Sequence, residues 1–303
     1  MYKIIRNSKY WYIFSSLLAV LSIVSLVAFG LRVGIDYRGG TVMEIKSNST
    51  DRVKVINESL NANNFTNYQI KEGGDNRIIL RLPAITAEQH TTLLSAFKSK
   101  LPDITETKYD TVGPTIGKDL TKKSVIAVIL ASIGIILYIA YAFRRMPKPL
   151  SSWLFGFAAV VALVHDLLIT AGIVSLLGHF FHWMEVDVLF ITALLTIMGF
   201  SVHDTIVIYD RLRENFIRNP HKEISQSAEE SINQTLVRSI NTSLTLILAL
   251  LAMIILGSES IRHFIVTLTV GVTIGTYSSI LVSAPLVVSW HKDTQSNKLR
   301  KAS

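Results

Sequence analysis

Six stretches of the chain are apolar over lengths near the roughly 20 residues that a helix needs to cross the hydrocarbon core of a bilayer. They are residues 11–30, 124–143, 152–177, 186–209, 240–257 and 264–290. Only 17% of the residues are charged, against about 25% in an average globular chain. A soluble fold of 303 residues could not hide this much apolar surface. The chain is therefore expected to be an integral membrane protein. The first stretch follows Lys3, Arg6 and Lys9 like a signal peptide. It is longer than a typical hydrophobic region of about 7–15 residues and lacks a clear small-x-small cleavage site, so it reads as a retained signal anchor. Cysteine is absent, which excludes disulfides, thiolate metal sites and cysteine nucleophiles.

Lysine and arginine set the orientation. Half of the 30 basic residues fall into four segments on one side, at 3–9, 144–148, 211–238 and 292–301. The short loops of the other side hold only Arg262. Both termini are thus expected in the cytoplasm and residues 31–123 outside, since long translocated segments escape the charge rule. The formal charge of +8 then reports basic cytoplasmic segments rather than a nucleic-acid partner. The expected divisions are a cytoplasmic N-terminus with the first helix (1–30), an external domain (31–123), a five-helix bundle (124–290) and a cytoplasmic tail (291–303).

Within the external segment, strands are expected at 41–45, 68–72, 77–82 and 104–112. Gly73-Gly74-Asp75-Asn76 reads as a hairpin turn. One helix is expected over 51–61. A second follows Thr86, where Gln89 completes a capping box. The order β-α-β-β-α-β is that of a ferredoxin-like sandwich. The fold class expected is an α-helical polytopic membrane protein of six transmembrane helices, with one α+β ferredoxin-like domain between the first and second.

Carboxylates at membrane depth are expensive and point to function. Asp166 stands in the third stretch and Asp204 in the inner half of the fourth. Arg238, opening the fifth stretch, is the natural partner for Asp204, because a permanent cation lowers the cost of a nearby carboxylate. Such a pair can hold or release a proton as its separation changes. In the other reading it is a structural ion pair, or the arginine reaches for lipid head groups. His165 and His203 adjoin the aspartates; an imidazole can titrate near neutral pH, and the other reading of each is a packing or orienting residue. Gly271, Gly275, Ser279 and Ser283 form a small-residue ladder suited to close helix packing within the chain, the alternative being a face that meets a partner subunit. An intramembrane aspartyl protease would need Tyr-Asp and Gly-x-Gly-Asp motifs, which these aspartates lack. Neither a P-loop nor an HExxH zinc motif is present, so no enzyme, metal or cofactor is expected.

Three further motifs stand at span boundaries: Gly34-Ile35-Asp36-Tyr37-Arg38-Gly39-Gly40-Thr41, Val112-Gly113-Pro114-Thr115-Ile116-Gly117, and a run from Ser201 through His203-Asp204-Thr205 to Asp210-Arg211-Leu212-Arg213-Glu214-Asn215. Physically, Asp36 with Gly39 and Gly40 reads as a structural junction between membrane and sheet. Asp210, Arg211, Arg213 and Glu214 can pair locally at the lipid–water boundary, and Asn215 can end the helix. Together the motifs resemble the SecF family of the resistance-nodulation-division superfamily, over nearly the whole chain. The resemblance implies a subunit of the bacterial inner membrane with its large loop in the periplasm. It implies pairing with SecD, assistance to the SecYEG channel and the SecA motor on a translocating polypeptide, YajC as a further candidate partner, and use of the proton motive force. It implies proton conduction by Asp204 and Arg238, with Asp166 on another motif position. His203 departs from the family's usual asparagine or small polar residue. The alternatives are half of a small-molecule or lipid exporter of the same superfamily, or a scaffold that conducts nothing.

Overall fold

The computed structural model describes residues 2–144 and 152–291. The basic residues Arg145, Lys148, Lys292, Lys298, Arg300 and Lys301 lie outside the described residues. Among the described residues, six helices are long and apolar enough to cross a membrane. Contacts divide the chain into two units, one of Val33–Val125 and one of the remainder.

The smaller unit opens with the short helix α2 (Ile35–Arg38), after α1 (Ser8–Phe29) of the other unit, and continues through β1 (Gly40–Lys46), α3 (Arg52–Ala62), β2 (Gln69–Glu72), β3 (Arg77–Leu82), α4 (Ala87–Lys100) and β4 (Thr105–Val112). The sheet order is β2-β3-β1-β4, with every neighbouring pair antiparallel. Alternation along β3 buries Ile78, Leu80 and Leu82, as the period of two requires. These meet Met43 and Ile45 of β1, Ile56 and Leu60 of α3, and Leu93 and Phe97 of α4 in one core. The capping box is formed: Gln89 N–H donates to Thr86 Oγ1 at 3.3 Å and Thr86 N–H to Gln89 Oε1 at 2.9 Å. In the hairpin the left-handed positions fall on Asp75 (φ 55°) and Asn76 (φ 59°) rather than on Gly73 and Gly74.

Two of the boundary motifs meet in this unit. Gly39 ends α2 at φ 76°, ψ 157°, a backbone region almost closed to side chains. A Cβ on it would stand 2.9 Å from Pro114 Cα, and one on Gly117 would stand 2.8 Å from Tyr37 O. Tyr37 Oη also lies 3.0 Å from Ser124 Oγ. The junction is therefore a close backbone contact that glycine alone permits. Asp36 occupies the first turn of α2 and Gly40 opens β1.

The larger unit packs α1, α6 (Ser152–Phe180), α7 (Val188–Arg218), α8 (Ile224–Leu256) and α9 (Arg262–Ser278). A π-helical turn over Ser279–Ser283 follows α9, and helix resumes over 284–291. Helix α5 (Pro114–Ala142) buries few residues along its apolar length. It starts ahead of the apolar stretch, with Pro114 first, where its missing N–H costs nothing. Helices α7 and α8 likewise outrun their apolar stretches. At that end of α8, Ile224, Ala228 and Ile232 are buried at four-residue spacing, an amphipathic continuation. This corrects the expectation for Asn215. The cap of α7 is Asn219, and Asn215 is a buried helical residue that donates to Ser231 Oγ and Gln234 Oε1, both at 2.9 Å.

Candidate functional site

Helix α6 turns Asp166 fully inward, at 0% exposure. A bare carboxylate there would be prohibitive, so its oxygens need partners. Asp166 Oδ2 accepts from Ser201 Oγ of α7 at 2.6 Å and from Ser278 Oγ of α9 at 2.8 Å. Oδ1 lies 3.0 Å from Nδ1 of His165. Three helices thus converge on one side chain.

The approach of α7 and α9 follows from glycine. A Cβ on Gly275 would fall 3.0 Å from Ser201 Cβ, and one on Gly271 would fall 2.1 Å from Ile197 Cδ1. The ladder read from the sequence thus packs α9 against α7. At the far end of the same ladder, Ser283 in the π-helical turn is hydrogen-bonded to the buried Tyr209 of α7.

Asp204 stands three residues after Ser201, on the same face of α7. It is 7% exposed. Its Oδ2 accepts from Ser243 Oγ of α8 at 3.4 Å, and Thr276 Oγ1 of α9 lies 2.7 Å from that same hydroxyl. His203 Nδ1 is 3.9 Å from Oδ1 and faces outward. The consecutive residues Thr276, Tyr277 and Ser278 reach toward Asp204, His165 and Asp166 respectively. Both aspartates therefore belong to one hydroxyl-rich cluster.

Arg238 is not part of that cluster in this conformation. It is exposed on α8, five residues before Ser243. Among the described residues no ion pair within 4.0 Å joins it to Asp204. In this conformation the hydroxyl of Ser243 stands at the carboxylate instead. Arg211 pairs with Glu214, as does Arg218 at 2.6 Å. Arg211 Nε also donates to Gln234 Oε1 of α8 at 2.6 Å. Asp210 is exposed, and Nε of Arg213 is buried without a hydrogen-bond partner among the described residues. Asp36, Gly39 and Gly40 belong to the smaller unit.

Sequence reading missed Ser201, Ser243, Thr276, Tyr277 and Ser278. A signal existed in α8, where Ser227, Ser231, Thr235, Ser239 and Ser243 recur every fourth residue and are all buried. Among the described residues no group of three His, Cys, Asp or Glu side chains could hold a metal ion.

Comparison with known proteins agrees with this architecture. Residues 92–293 match the family described as protein export membrane protein SecD/SecF, C-terminal. Residues 24–51 match the SecD/SecF GG motif. The protein translocase subunit SecF of Thermobaculum terrenum is 38% identical over 96% of this chain and 94% of its own length. That of Rhodothermus marinus is 36% identical over 95% of this chain and 92% of its own. The crystal structure of SecDF from Thermus thermophilus, a translocon-associated membrane protein, superposes with a TM-score of 0.80 at 35% identity. The match covers 96% of this chain but 39% of the SecDF chain. From its sequence and its fold alike, this chain belongs to the SecD/SecF family of protein export membrane proteins.

Proposed function

We propose that the chain is a proton-coupled accessory subunit of Sec protein export, working with a SecD partner to promote translocation of secreted polypeptides. The observation that carries this reading is the buried cluster of Asp166 and Asp204, bonded by serines from three neighbouring helices, in a relative of subunits named for protein translocation. The SecD half is supported by the SecDF chain of Thermus thermophilus, of which this chain matches only part. SecYEG, SecA and YajC follow as partners from the same reading.

In this mechanism, Asp204 alternates between Ser243 and Arg238. The ionised form draws the guanidinium inward, and the protonated form releases it to the outward position seen here. Each proton crossing 100 mV supplies about 2.3 kcal/mol, enough to bias the packing of α8 against α7. Asp166 holds α6, α7 and α9 together and serves as the second proton-bearing group. The orientation that fits places both termini in the cytoplasm and the smaller unit in the periplasm, in a bacterial inner membrane. The division at 30, 123 and 290 belongs to the same reading. The smaller unit is taken as ferredoxin-like, supported by its β2-β3-β1-β4 order with antiparallel neighbours.

The test is Asp204→Asn, assembled with SecD in membrane vesicles and driven by an imposed proton gradient. Proton-dependent export should be lost while insertion and assembly persist. Export at the normal rate would instead leave a scaffold, and the proposal would fail.

A further inference from the structure

Asp166 is fully buried, so a proton can reach it only along groups bonded to it. Ser201 and Ser278 fix one oxygen. The other partner, His165, has both ring nitrogens engaged: Nδ1 with Asp166 at 3.0 Å, and Nε2 with Tyr277 Oη at 2.9 Å. Tyr277 Oη in turn lies 3.0 Å from Ser15 Oγ of α1. The bonds form an unbroken line from α6 through α9 to α1.

That line meets a cavity at Tyr277, one bond before its end at Ser15. Tyr277 lines a space of about 550 Å³ between the start of α1, α8 and α9. Lys3 and Asn7 also line it, and so do Ser243 and Thr276, the hydroxyls that lead to Asp204. One cavity thus touches Ser243, bonded to Asp204, and Tyr277, which reaches Asp166 through His165.

We propose that His165 and Tyr277 are the proton-exchange branch of Asp166, opening on this cavity. The inference rests on the proton-coupled reading above. An imidazole suits the task because it can accept at one nitrogen while donating from the other. With Asp166 protonated, its O–H donates to Nδ1, the Nε2–H donates to Tyr277 Oη, and the tyrosine O–H donates to Ser15 Oγ. On transfer, the carboxyl proton moves to Nδ1 and the Nε2 proton moves to the phenol oxygen. The phenol's own proton leaves to water in the cavity that Tyr277 lines, and Ser15 remains a hydrogen-bond partner of the phenol. Asp166 is then ionised and accepts from Nδ1–H, while Tyr277 donates to Nε2. Neither ring retains a charge, and the reverse sequence loads the aspartate.

Of the other titratable side chains on α1, α7 and α9, Tyr12, Asp204, Tyr209 and His263 are engaged elsewhere. Tyr12 of α1 is bonded to Ser289. Asp204 and Tyr209 of α7 are bonded to Ser243 and Ser283, and His263 of α9 is bonded to Asp187. His203 of α7 faces outward. The branch therefore answers chiefly to Asp166 and to the cavity.

The test uses the full chain with SecD in vesicles, with export measured across a pH series. The variants are His165→Gln, Tyr277→Phe and Asp204→Asn. Glutamine can hold both hydrogen bonds but cannot pass a proton, and phenylalanine keeps the ring without the hydroxyl. Each should slow proton-driven export by about tenfold or more and alter its pH profile, at unchanged membrane content. If both retain the parent rate and profile while Asp204→Asn is inactive, the branch is wrong and the proton-coupled reading stands. Normal export by Asp204→Asn overturns that reading itself. Recovery of the parent rate and pH profile by His165→Gln alone would make His165 a spacer and also overturn the branch.

Discussion

Gly275 of α9 faces Ser201 of α7 so closely that a Cβ on the glycine would lie 3.0 Å from the serine's Cβ. The contact sets where Ser201 sits, and Ser201 donates to Asp166 at 2.6 Å. Packing and site chemistry are therefore one feature here. Gly275→Val should force α7 and α9 apart, at the cost of about 1–3 kcal/mol that overpacking brings, and pull Ser201 off the carboxylate. The measurement is thermal denaturation in detergent beside export activity. Ser201→Ala, which leaves the packing intact, should lower activity with a smaller loss of stability. A Gly275→Val chain with parental stability would show that the helices have room to spare.

Gly39 makes a different demand. Its backbone, at φ 76° and ψ 157°, is one that side chains resist. A Cβ would also press on Pro114 Cα at 2.9 Å. Gly39→Ala should cost about 1–3 kcal/mol from backbone strain alone and loosen the start of α5. Gly74→Ala, where a Cβ meets nothing within 4 Å, is the control and should be close to neutral. Limited proteolysis of the full chain near Gly39 reports the difference.

Legibility in the sequence followed the range of the forces involved. A span must be apolar along its own length, so the six stretches announced themselves. The Thr86–Gln89 box closes within one turn and was equally plain. The aspartates stood out because a carboxylate in an apolar run is costly wherever the chain goes. Ser201, Ser243 and Ser278 did not, since a serine in a membrane helix usually bonds within its own helix, as Ser231 does to Ser227 O. Only the tertiary fold shows which serines turn outward to a carboxylate. The full lengths of α7 and α8 were hidden for a related reason, because their polar ends are held by each other, through Asn215 and Ser231. Charge complementarity named Arg238 as the group that attracts Asp204, while the helix fixes which hydroxyl, that of Ser243, is nearest in this conformation.

Asp103 gives a pH prediction outside the membrane helices. The backbone N–H of Asn48 and the hydroxyl of Ser47 donate to its carboxylate at 2.7 and 2.9 Å and hold it below the usual carboxylate range. The group is more acidic folded than unfolded. Its contribution is therefore complete above about pH 4 and fades as the pH falls through its lower folded value. Protection of the Asn48 amide from hydrogen exchange in the full chain should persist at neutral pH and drop on acidification. Asp103→Asn should show weak protection at every pH. Equal protection in both chains at neutral pH would mean that the charge contributes nothing.

Glu229 of α8 takes the backbone N–H groups of Ile4, Ile5 and Arg6, the last two at 3.0 and 3.2 Å. Asn233, one turn on, exchanges two bonds with the backbone of Tyr2, at 2.7 and 3.0 Å. Donors ahead of a helix have no partner in that helix, so α8 supplies one carboxylate to three of them. Hydrogen bonds to a charged acceptor are worth about 1.5–3 kcal/mol each when shielded, and less at this partly exposed position. Tyr2, Lys3 and Ile4 also wall the cavity beside Ser243 and Tyr277. Glu229→Ala should therefore raise amide exchange at residues 4–6 and open that cavity, while Asp166 stays bonded to Ser201 and Ser278. Labelling a cysteine at Ile240, on the cavity wall, with a water-soluble maleimide measures the opening. Labelling should be faster in the Glu229→Ala background than in the parent, and equal rates would show that the segment of residues 2–6 does not govern access.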